Sequence, residues 1–513
     1  MTTPHLRKQG TATQLFVDGE PFLILGGELR NSSSSSLAYM EPIWQRLLDL
    51  NMNTVLTPVS WMQFEPVEGR FETDLLDGLI DGARQHGLRL ILLWFGSWKN
   101  GMSSYVPEWV KRDYQRFPRV RICDGRPVEI LSALSDANRE ADAAAFGTLM
   151  AHVRKVDSDD HTVIMVQVEN EACLLPDSRD RCAEAERAFE AAVPERLTAY
   201  LVENQDVLLP YVRDAWEASS CTASGSWQEL FGEGIQTDEI FMAWHYASYV
   251  ERVAAVGRSK HEIPMFVNAM LQEAPEPGQH FYPCGGPLPQ VMDIWLAAVD
   301  HIDLLAPDIY SPNFAEWCER YTQRGNPLFI PEMTPHEAGA RQVFFAIGRH
   351  DAIGTSPFAI DMIEDPAAAA LSKSYEVLKQ VAPTILTHQG RERTTGFLLD
   401  KDNSTASVQL GEYTLDISLD EIFIFRADIG YGLIVQTGTD EFVAAGSGFR
   451  VAFRPTESDS RYAGILKVEE GSFANGGWKP DRQLNGDETD QGSHWRFGDR
   501  KLSIQRCTVY TYE

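Results

Sequence analysis

Two short segments place carboxylates directly after apolar runs of strand length. Residues 167–171 read Gln-Val-Glu-Asn-Glu, and they follow an apolar stretch that begins at Thr162. Glu332 likewise follows the apolar residues of Pro327–Pro331. Charged side chains are almost never left in a buried strand unless something needs them. Glu332 alone could equally be an acid in the first turn of a helix, but the two segments together predict a site with two carboxylates.

A pair of facing carboxyl groups has a well-defined chemistry. One group, kept protonated, donates to a glycosidic oxygen, and the other, ionised, attacks the anomeric carbon; in retaining enzymes the two are about 5–5.5 Å apart. Their mutual repulsion raises the pKa of the acid, so one pair supplies both protonation states near neutral pH. We therefore expect Glu171 and Glu332 to face each other across one cleft.

The surrounding sequence alternates between strand-like and helix-like patterns. Several apolar runs are continuous in Leu, Ile, Val and Phe, which is typical of parallel strands buried on both faces. The runs are Phe22–Leu25, Thr54–Thr57, Leu88–Phe95, Thr162–Val168, Pro264–Asn268, Ile302–Pro307, Pro327–Pro331 and Ala352–Thr355. Helical spacing lies between them in Tyr39–Leu50, Asp74–His86 and Ser135–Val156. This alternation predicts an α/β protein, a (β/α)8 TIM barrel with its active site at the carboxyl ends of the strands.

Other parts of the chain flank or interrupt this barrel. Unequal spacing of the runs predicts long insertions after the third and fourth strands, and residues 172–262 leave room for one further strand. Asp18-Gly19 between apolar runs predicts an N-terminal hairpin. From about Thr387, short strands separated by Gly, Asp and Asn turns predict an all-β domain. We therefore divide the chain into a catalytic barrel that includes the hairpin, 1–385, and a β-sandwich or jelly-roll domain, 386–513.

Composition and charge argue against several classes of protein. The 45 Lys and Arg against 74 Asp and Glu give a formal net charge of −29, which disfavours nucleic acids and anionic membranes as partners. Seven cysteines without a C-x-x-C pair argue against a disulfide framework, and the lack of clustered His leads us to expect no metal and no cofactor. Without an apolar leader or a run of ~20 apolar residues, we expect a cytoplasmic protein, or a periplasmic one if the N-terminus was trimmed.

At these motifs the chain resembles the clan A glycoside hydrolases, and most closely family 35, the β-galactosidases. Three further pieces support the resemblance: Phe22–Glu28 at the first strand, and Trp-Met-Gln-Phe-Glu-Pro at 61–66 followed by Gly-Arg-Phe at 69–71 after the second. The resemblance covers about residues 15–365 and is to a bacterial subgroup with a C-terminal β domain. It implies that Glu171 is the acid/base and that Glu332 is the nucleophile.

The same resemblance implies roles for residues around the two carboxylates. Asn170 would hold the sugar 2-hydroxyl, and Tyr310 would donate a hydrogen bond to the nucleophile, although Tyr310 could equally be an ordinary amphipathic aromatic residue. After the third strand the chain departs from the usual Ala-Glu-Trp of family 35. There, Trp98 offers a flat face for stacking on a pyranose, and Lys99 and Asn100 offer hydrogen-bond donors. The remaining residues expected to contact the sugar are Trp61, Glu65, Glu28 and Asn268.

The sequence therefore predicts an exo-acting retaining β-galactosidase that releases terminal β-galactosyl residues from galactose-containing oligosaccharides. Two alternatives stay open at this point. One is a related exo-glycosidase, such as a β-glucosidase or an α-L-arabinopyranosidase. The other is a non-catalytic carbohydrate-binding protein, although a binding protein gains nothing from crowding Glu171 and Glu332 together. Exposed apolar surface on the β domain would allow a homodimer.

Overall fold

The computed structural model describes residues 2–279, 281–422, 425–456, 462–474 and 476–513. In these residues, eight parallel strands form a closed barrel. Numbered from 1 to 8 in chain order, the barrel strands are Ile24–Glu28, Thr54–Ser60, Arg89–Phe95, Val163–Val168, Met265–Met270, Leu304–Ile309, Phe329–Met333 and Gly354–Pro357. Strand 8 pairs with strand 1 and closes the ring. The predicted (β/α)8 barrel is confirmed, and each predicted run contributes one strand whose ends differ by a few residues.

A helix follows each barrel strand and packs its apolar side against the barrel. These helices are Leu37–Asp49, Asp74–Gln85, Asp136–Asp157, Ile235–Lys260, Met292–Ala298, Phe314–Tyr321, Glu337–His350 and Ala367–His388. Ser135 begins the third of them, because its hydroxyl accepts a hydrogen bond from the Asn138 backbone N–H at 3.2 Å. No helix in the described part of the chain is both long and apolar enough to cross a bilayer.

The two predicted insertions lie where the spacing of the runs placed them. After strand 3, the chain forms the helix Glu108–Arg112 and a hairpin of Arg119–Arg121 and Pro127–Leu131. After strand 4, it forms short helices at Ala183–Glu190, Glu195–Glu203, Pro210–Ala218 and Trp227–Phe231. The extra strand that residues 172–262 left room for is not formed, since the described residues there are helical and contribute only isolated bridges. Shorter helical turns are Ser33–Ser35, Trp61–Phe64, Gln205–Val207, Pro289–Val291, Gln323–Gly325, Ile360–Met362 and Gly486–Thr489.

An N-terminal sheet covers the end of the barrel at which the strands begin. Its antiparallel strands are His5–Gln9, Ala12–Val17 and Glu20–Phe22, and the last two form the predicted hairpin around Asp18-Gly19. Leu15 and Val17 join the apolar core inside the barrel. Asp18 accepts hydrogen bonds from Arg89 at 2.7 Å and contacts His161 at 2.8 Å, close to the starts of strands 3 and 4. The opposite end of the barrel is therefore left for chemistry.

The C-terminal part of the described chain forms two antiparallel sheets with a second apolar core between them. The larger sheet contains Thr394–Leu399, Gly430–Gln436, Glu441–Ser447, Ser503–Tyr512, Tyr462–Ala474 and Gly477–Leu484, and the smaller contains Thr405–Leu410, Tyr413–Leu419, Phe449–Pro455 and Trp495–Phe497. A short ribbon pairs Glu421–Ile422 with Phe425–Arg426. This confirms an all-β region after the barrel, while the division at residue 385 stays a prediction.

The β region rests on the helix that follows strand 7. A Cβ atom at Gly348 of this helix would lie 2.7 Å from the Thr395 carbonyl oxygen, so only glycine permits the approach. Next to it, the rings of Phe344 and Tyr431 pack with their centroids 5.5 Å apart. The helix that follows strand 7, the strand of Glu332, therefore packs between the barrel and the β region.

Candidate active site

The carboxyl ends of the barrel strands bring three buried carboxyl groups together. Glu171 follows strand 4, Asp308 lies in strand 6 and Glu332 lies in strand 7. One carboxylate oxygen from each lies within 4.8 Å of the others. The two residues singled out in the sequence therefore meet at one point, and Asp308 joins them. The residues 307–310, Pro-Asp-Ile-Tyr, held the signal for Asp308, because they too place a charge at the end of an apolar run.

The backbone that carries Glu171 is held in an uncommon conformation. Glu169 and Glu171 have φ angles of 63° and 49°, a left-handed region in which a residue other than glycine costs of order 1–3 kcal/mol. Three hydrogen bonds hold this turn. The Glu169 carboxylate accepts the Trp98 N–H at 2.8 Å, the Asn170 N–H reaches the Trp98 carbonyl at 3.3 Å, and the Glu171 N–H donates to Asn268 Oδ1 at 2.9 Å.

Glu332 is surrounded by donors. Tyr310 Oη donates to Glu332 Oε2 at 2.9 Å, Asn170 Nδ2 lies 3.5 Å from Oε1, and Lys99 Nζ lies 3.6 Å from the same oxygen. Burial and the charge of Glu332 raise the pKa of Tyr310, so the phenol keeps the proton that it donates. Such a set of donors stabilises a negative charge on Glu332 and holds its oxygens in place.

The surroundings of Glu171 move the titration of its carboxyl group towards neutral pH. Burial and the negative charge of Glu332 raise the pKa of Glu171 to about 7, although Lys99 acts in the opposite direction. Asn100 Nδ2 donates to Glu171 Oε2 at 2.6 Å. The two carboxyl groups therefore differ in surroundings in the way that one acid and one nucleophile require.

Two further ionisable residues share the site. Glu28 is fully buried at the end of strand 1, and neither of its oxygens has a hydrogen-bond partner among the described residues. Burial and the charge of Glu332 raise the pKa of Glu28, so its surroundings favour the neutral form of this residue. Burial opposes the charge of Lys99, but the charges of Glu332 and Glu171 raise its pKa. Lys99 is therefore a buried ammonium beside Glu332.

Three of the residues expected to contact a sugar make contacts within the protein. Trp98 is completely buried, and its ring packs against Tyr246 and Tyr249 at 5.0 and 4.6 Å. The predicted stacking face is thus covered, because a helix far along the chain reaches it. Trp61 Nε1 donates to Glu65 Oε2 at 2.8 Å, and both residues are buried. The stacking role expected of Trp98 is therefore wrong, because its ring is covered. Trp61 and Glu65 bind each other, and their contact with a sugar stays a prediction.

Asn268 also acts on the protein itself. Its Oδ1 accepts the Glu171 backbone N–H, and its Nδ2 donates to Asp308 Oδ2 at 2.6 Å. Both ends of this amide are therefore used in fixing two of the carboxyl groups. Lys99, Asn100 and Tyr310, by contrast, touch Glu171 or Glu332 directly.

Glu171, Asp308 and Glu332 are close enough to enclose a cation. The Lys99 ammonium already supplies a positive charge beside Glu332, so a divalent ion at this point would compete with it. The expectation that the chemistry needs neither metal nor cofactor stays a prediction.

Comparison with known families gives matches to two parts of the chain. Residues 40–208 match the family model of glycoside hydrolase family 42, described as beta-galactosidase, and residues 371–496 match a domain of unknown function. The first match spans strands 2 to 4 and ends beyond Glu171. No curated protein matches the chain.

Solved structures resemble the chain at low sequence identity. Gan42B, a GH42 β-galactosidase, is 12% identical with a TM-score of 0.52, over 98% of this chain and 100% of that one. The β-galactosidase of Bacillus circulans sp. alkalophilus is 15% identical with a TM-score of 0.48, over 71% of this chain. This chain spans 57% of that enzyme and 62% of the β-galactosidase of the psychrophilic Marinomonas ef1. The similarity to Gan42B shows a common fold.

The assignment to family 35 is not supported, because the family model that matches is that of family 42. The match and the fold support the broader class, the clan A glycoside hydrolases. Among the motifs that suggested family 35, Asn170-Glu171 and Glu332 are those that the resemblance to clan A as a whole already includes. They therefore indicate the reaction and do not separate one family of the clan from another.

Proposed function

We propose that the protein is a retaining exo-glycoside hydrolase of β-galactosidase type, with Glu171 as acid/base and Glu332 as nucleophile. The observation that carries this proposal is the approach of their carboxylate oxygens to within 4.8 Å at the mouth of the barrel. Inverting enzymes hold their carboxyl groups about 6.5–9.5 Å apart to admit a water molecule. The short separation instead favours direct attack on the sugar. The family match over residues 40–208 supports galactose as the sugar.

In the first step, a Glu332 oxygen attacks the anomeric carbon while the glycosidic C–O bond breaks. Glu171 gives its proton to the departing oxygen, so the leaving group departs as a neutral alcohol. The product on the enzyme is a glycosyl ester of Glu332. Tyr310 and Lys99 hold the nucleophile, and Asn170, 3.5 Å from it, is placed to bind the hydroxyl next to the reacting carbon.

In the second step, Glu171 is a carboxylate and acts as a base. It takes a proton from water, whose oxygen attacks the anomeric carbon and displaces Glu332 from the ester. Two successive inversions leave the configuration unchanged. The substrate is a galactose-containing oligosaccharide, and a neutral sugar adds no negative charge to a site where the carboxyl groups of Glu171, Asp308 and Glu332 are already buried together.

A panel of aryl glycosides tests this proposal. We expect turnover of the aryl β-galactoside at a higher kcat/KM than of the β-glucoside or the α-L-arabinopyranoside. Proton NMR of the fresh product should show the β anomer before mutarotation. First release of the α anomer would contradict the retaining mechanism. A higher kcat/KM for the β-glucoside would indicate a related exo-glycosidase instead of a β-galactosidase. Sugar binding without turnover of any aryl glycoside would indicate a carbohydrate-binding protein.

The pH dependence of the free enzyme offers a further prediction. Because the pKa of Glu171 is raised to about 7, the acid form needed in the first step is lost as the pH rises through that value. We expect the pH profile to have a basic limb at this pKa, above which kcat/KM for an aryl β-galactoside with a poor leaving group falls tenfold per pH unit. Initial rates at low substrate across the pH range measure it. A flat profile up to pH values at which the fold is lost would contradict the role of Glu171.

A further inference from the structure

Asp308 is a third carboxyl group at the site, and the proposed reaction does not use it. It lies in strand 6 in register with Glu332 of strand 7, and only 2% of its surface is exposed. Its Oδ2 accepts a hydrogen bond from Asn268 Nδ2 at 2.6 Å. Its Oδ1 is buried without a donor among the described residues. One Asp308 oxygen lies within 4.8 Å of oxygens of both Glu171 and Glu332.

The charges that face Asp308 are mostly negative. Glu171 comes from the loop after strand 4, Glu332 from strand 7 and Glu28 from strand 1, while Lys99 from the loop after strand 3 is the positive group. The hydroxyls of Tyr310 and Tyr321 also lie near it. One ammonium cannot balance four buried carboxylates, and an ionised carboxylate that accepts a single neutral hydrogen bond is poorly stabilised. Some of these carboxyl groups must therefore hold protons at neutral pH.

We propose that Asp308 is a positioning residue for the acid/base: it stays protonated and donates the proton of its free oxygen in a hydrogen bond to Glu171. The inference rests on the proposed function of Glu171. A neutral carboxyl fits the contacts, since its carbonyl oxygen is the one that Asn268 reaches and its hydroxyl is the oxygen left without a donor. Asn268 also binds the Glu171 backbone N–H at 2.9 Å, so one side chain fixes both members of the pair.

The hydrogen bond from Asp308 has a defined effect on the reaction. Burial and the charge of Glu332 raise the pKa of Asp308, which keeps its proton in place. Burial and Glu332 also raise the pKa of Glu171, and the hydrogen bond from Asp308 lowers it. When Glu171 gives its proton to the leaving oxygen, Asp308 stabilises the carboxylate that results. The Asp308 proton itself is not transferred.

Two substitutions separate this role from that of an ionised Asp308. In Asp308→Asn, the amide oxygen can accept from Asn268 and the amide N–H can donate to Glu171, as the neutral acid does. We expect kcat within about threefold of wild type and an unchanged basic limb in the pH profile of kcat/KM. Asp308→Leu has the same branching at Cγ but no donor. In this variant, we expect the basic limb of the pH profile to move to higher pH by about one unit. We also expect kcat/KM for substrates with poor leaving groups to fall at least tenfold.

If Asp308 were ionised, Asp308→Asn would remove a negative charge next to Glu171. The basic limb of the pH profile would then move to lower pH. That result would overturn the inference, as would a basic limb in Asp308→Leu that stays at the wild-type value. Glu239→Gln is the matched control. Glu239 is a buried carboxyl outside the group that Glu171, Asp308 and Glu332 form. It accepts from Tyr211 and Tyr282 at 2.6 and 2.8 Å, and its substitution should leave the pH profile unchanged.

A readout that needs no turnover keeps the inference apart from the proposed function. At pH 7, the infrared carbonyl band of neutral carboxylic acids should lose intensity in Asp308→Asn relative to wild type. An identical band in the two proteins would overturn the inference even if Asp308→Leu fails to fold. If wild type and Glu239→Gln cleave no glycoside at all, the proposed function fails, and the infrared comparison still decides the protonation of Asp308.

Discussion

Glu332→Gln is expected to lower kcat for an aryl β-galactoside by at least about 10³-fold, because an amide cannot form the glycosyl ester on which both steps depend. The amide has nearly the shape of the carboxylate. Its single carbonyl oxygen can still accept from the Tyr310 hydroxyl, which lies 2.9 Å from the native Oε2, and only the weaker contact of Oε1 with Asn170 at 3.5 Å is given up. The fold should therefore survive, and the loss should appear in kcat more than in KM.

Steady-state kinetics beside a thermal melt of each protein measure this effect. Glu337→Gln is the matched control, since Glu337 lies five residues further along, on the surface, where it pairs with Arg341 at 2.9 Å. That substitution should change neither the rate nor the melting temperature appreciably. If Glu332→Gln kept more than about a tenth of the wild-type kcat, Glu332 could not be the nucleophile.

A substitution to a smaller residue tests the role of Glu332 through the product that the variant forms. Glu332→Gly leaves a space on the face of the sugar that the carboxylate occupied, and added azide can attack the anomeric carbon from there. One inversion replaces two, so we expect an α-galactosyl azide from a β-galactoside, identified by NMR. A β-configured azide, or rescue without azide in the product, would place the nucleophile elsewhere.

The barrel and its two carboxylates could be predicted because each has a local signal. Strands buried on both faces read as continuous apolar runs, and a charge directly after such a run is conspicuous. Asp308 carries the same signal within residues 307–310, but its importance depends on Asn268 and Glu171, which reach it from two other strands. Proximity of this kind is a property of the closed barrel and is not written in any single segment.

Two features of the structure could not be predicted, because no local pattern in the sequence marks them. Trp98 is preceded and followed by polar residues and looks available, yet Tyr246 and Tyr249 from the helix Ile235–Lys260 bury its ring. The strand Tyr462–Ala474 has no clear local signal, because most of its residues are exposed or half-buried and no alternation of polar and apolar residues marks it. For Trp98, the partner that decides the outcome lies far along the chain.

Glu171→Ala should divide substrates by their leaving groups. An alkyl or sugar leaving group needs the Glu171 proton as the glycosidic bond breaks, and general acid catalysis of this kind contributes about 10²–10⁴-fold. We expect kcat/KM for such substrates to fall by that range. A dinitrophenyl β-galactoside departs as a stabilised anion, so its kcat/KM should stay within about tenfold of wild type.

The second step supplies the complementary evidence, because Glu171 then acts as a base towards water. In Glu171→Ala, the glycosyl ester of Glu332 should accumulate from the dinitrophenyl substrate and appear as a burst of phenolate, followed by slow turnover. Azide needs no base, so it should speed that turnover and give a β-galactosyl azide, the configuration opposite to that expected from Glu332→Gly. Glu184→Ala, at an exposed residue that pairs with Arg187 at 3.0 Å, is the control and should show neither effect. Equal losses for good and poor leaving groups, without rescue by azide, would remove Glu171 from the acid/base role and with it the pairing with Asp308.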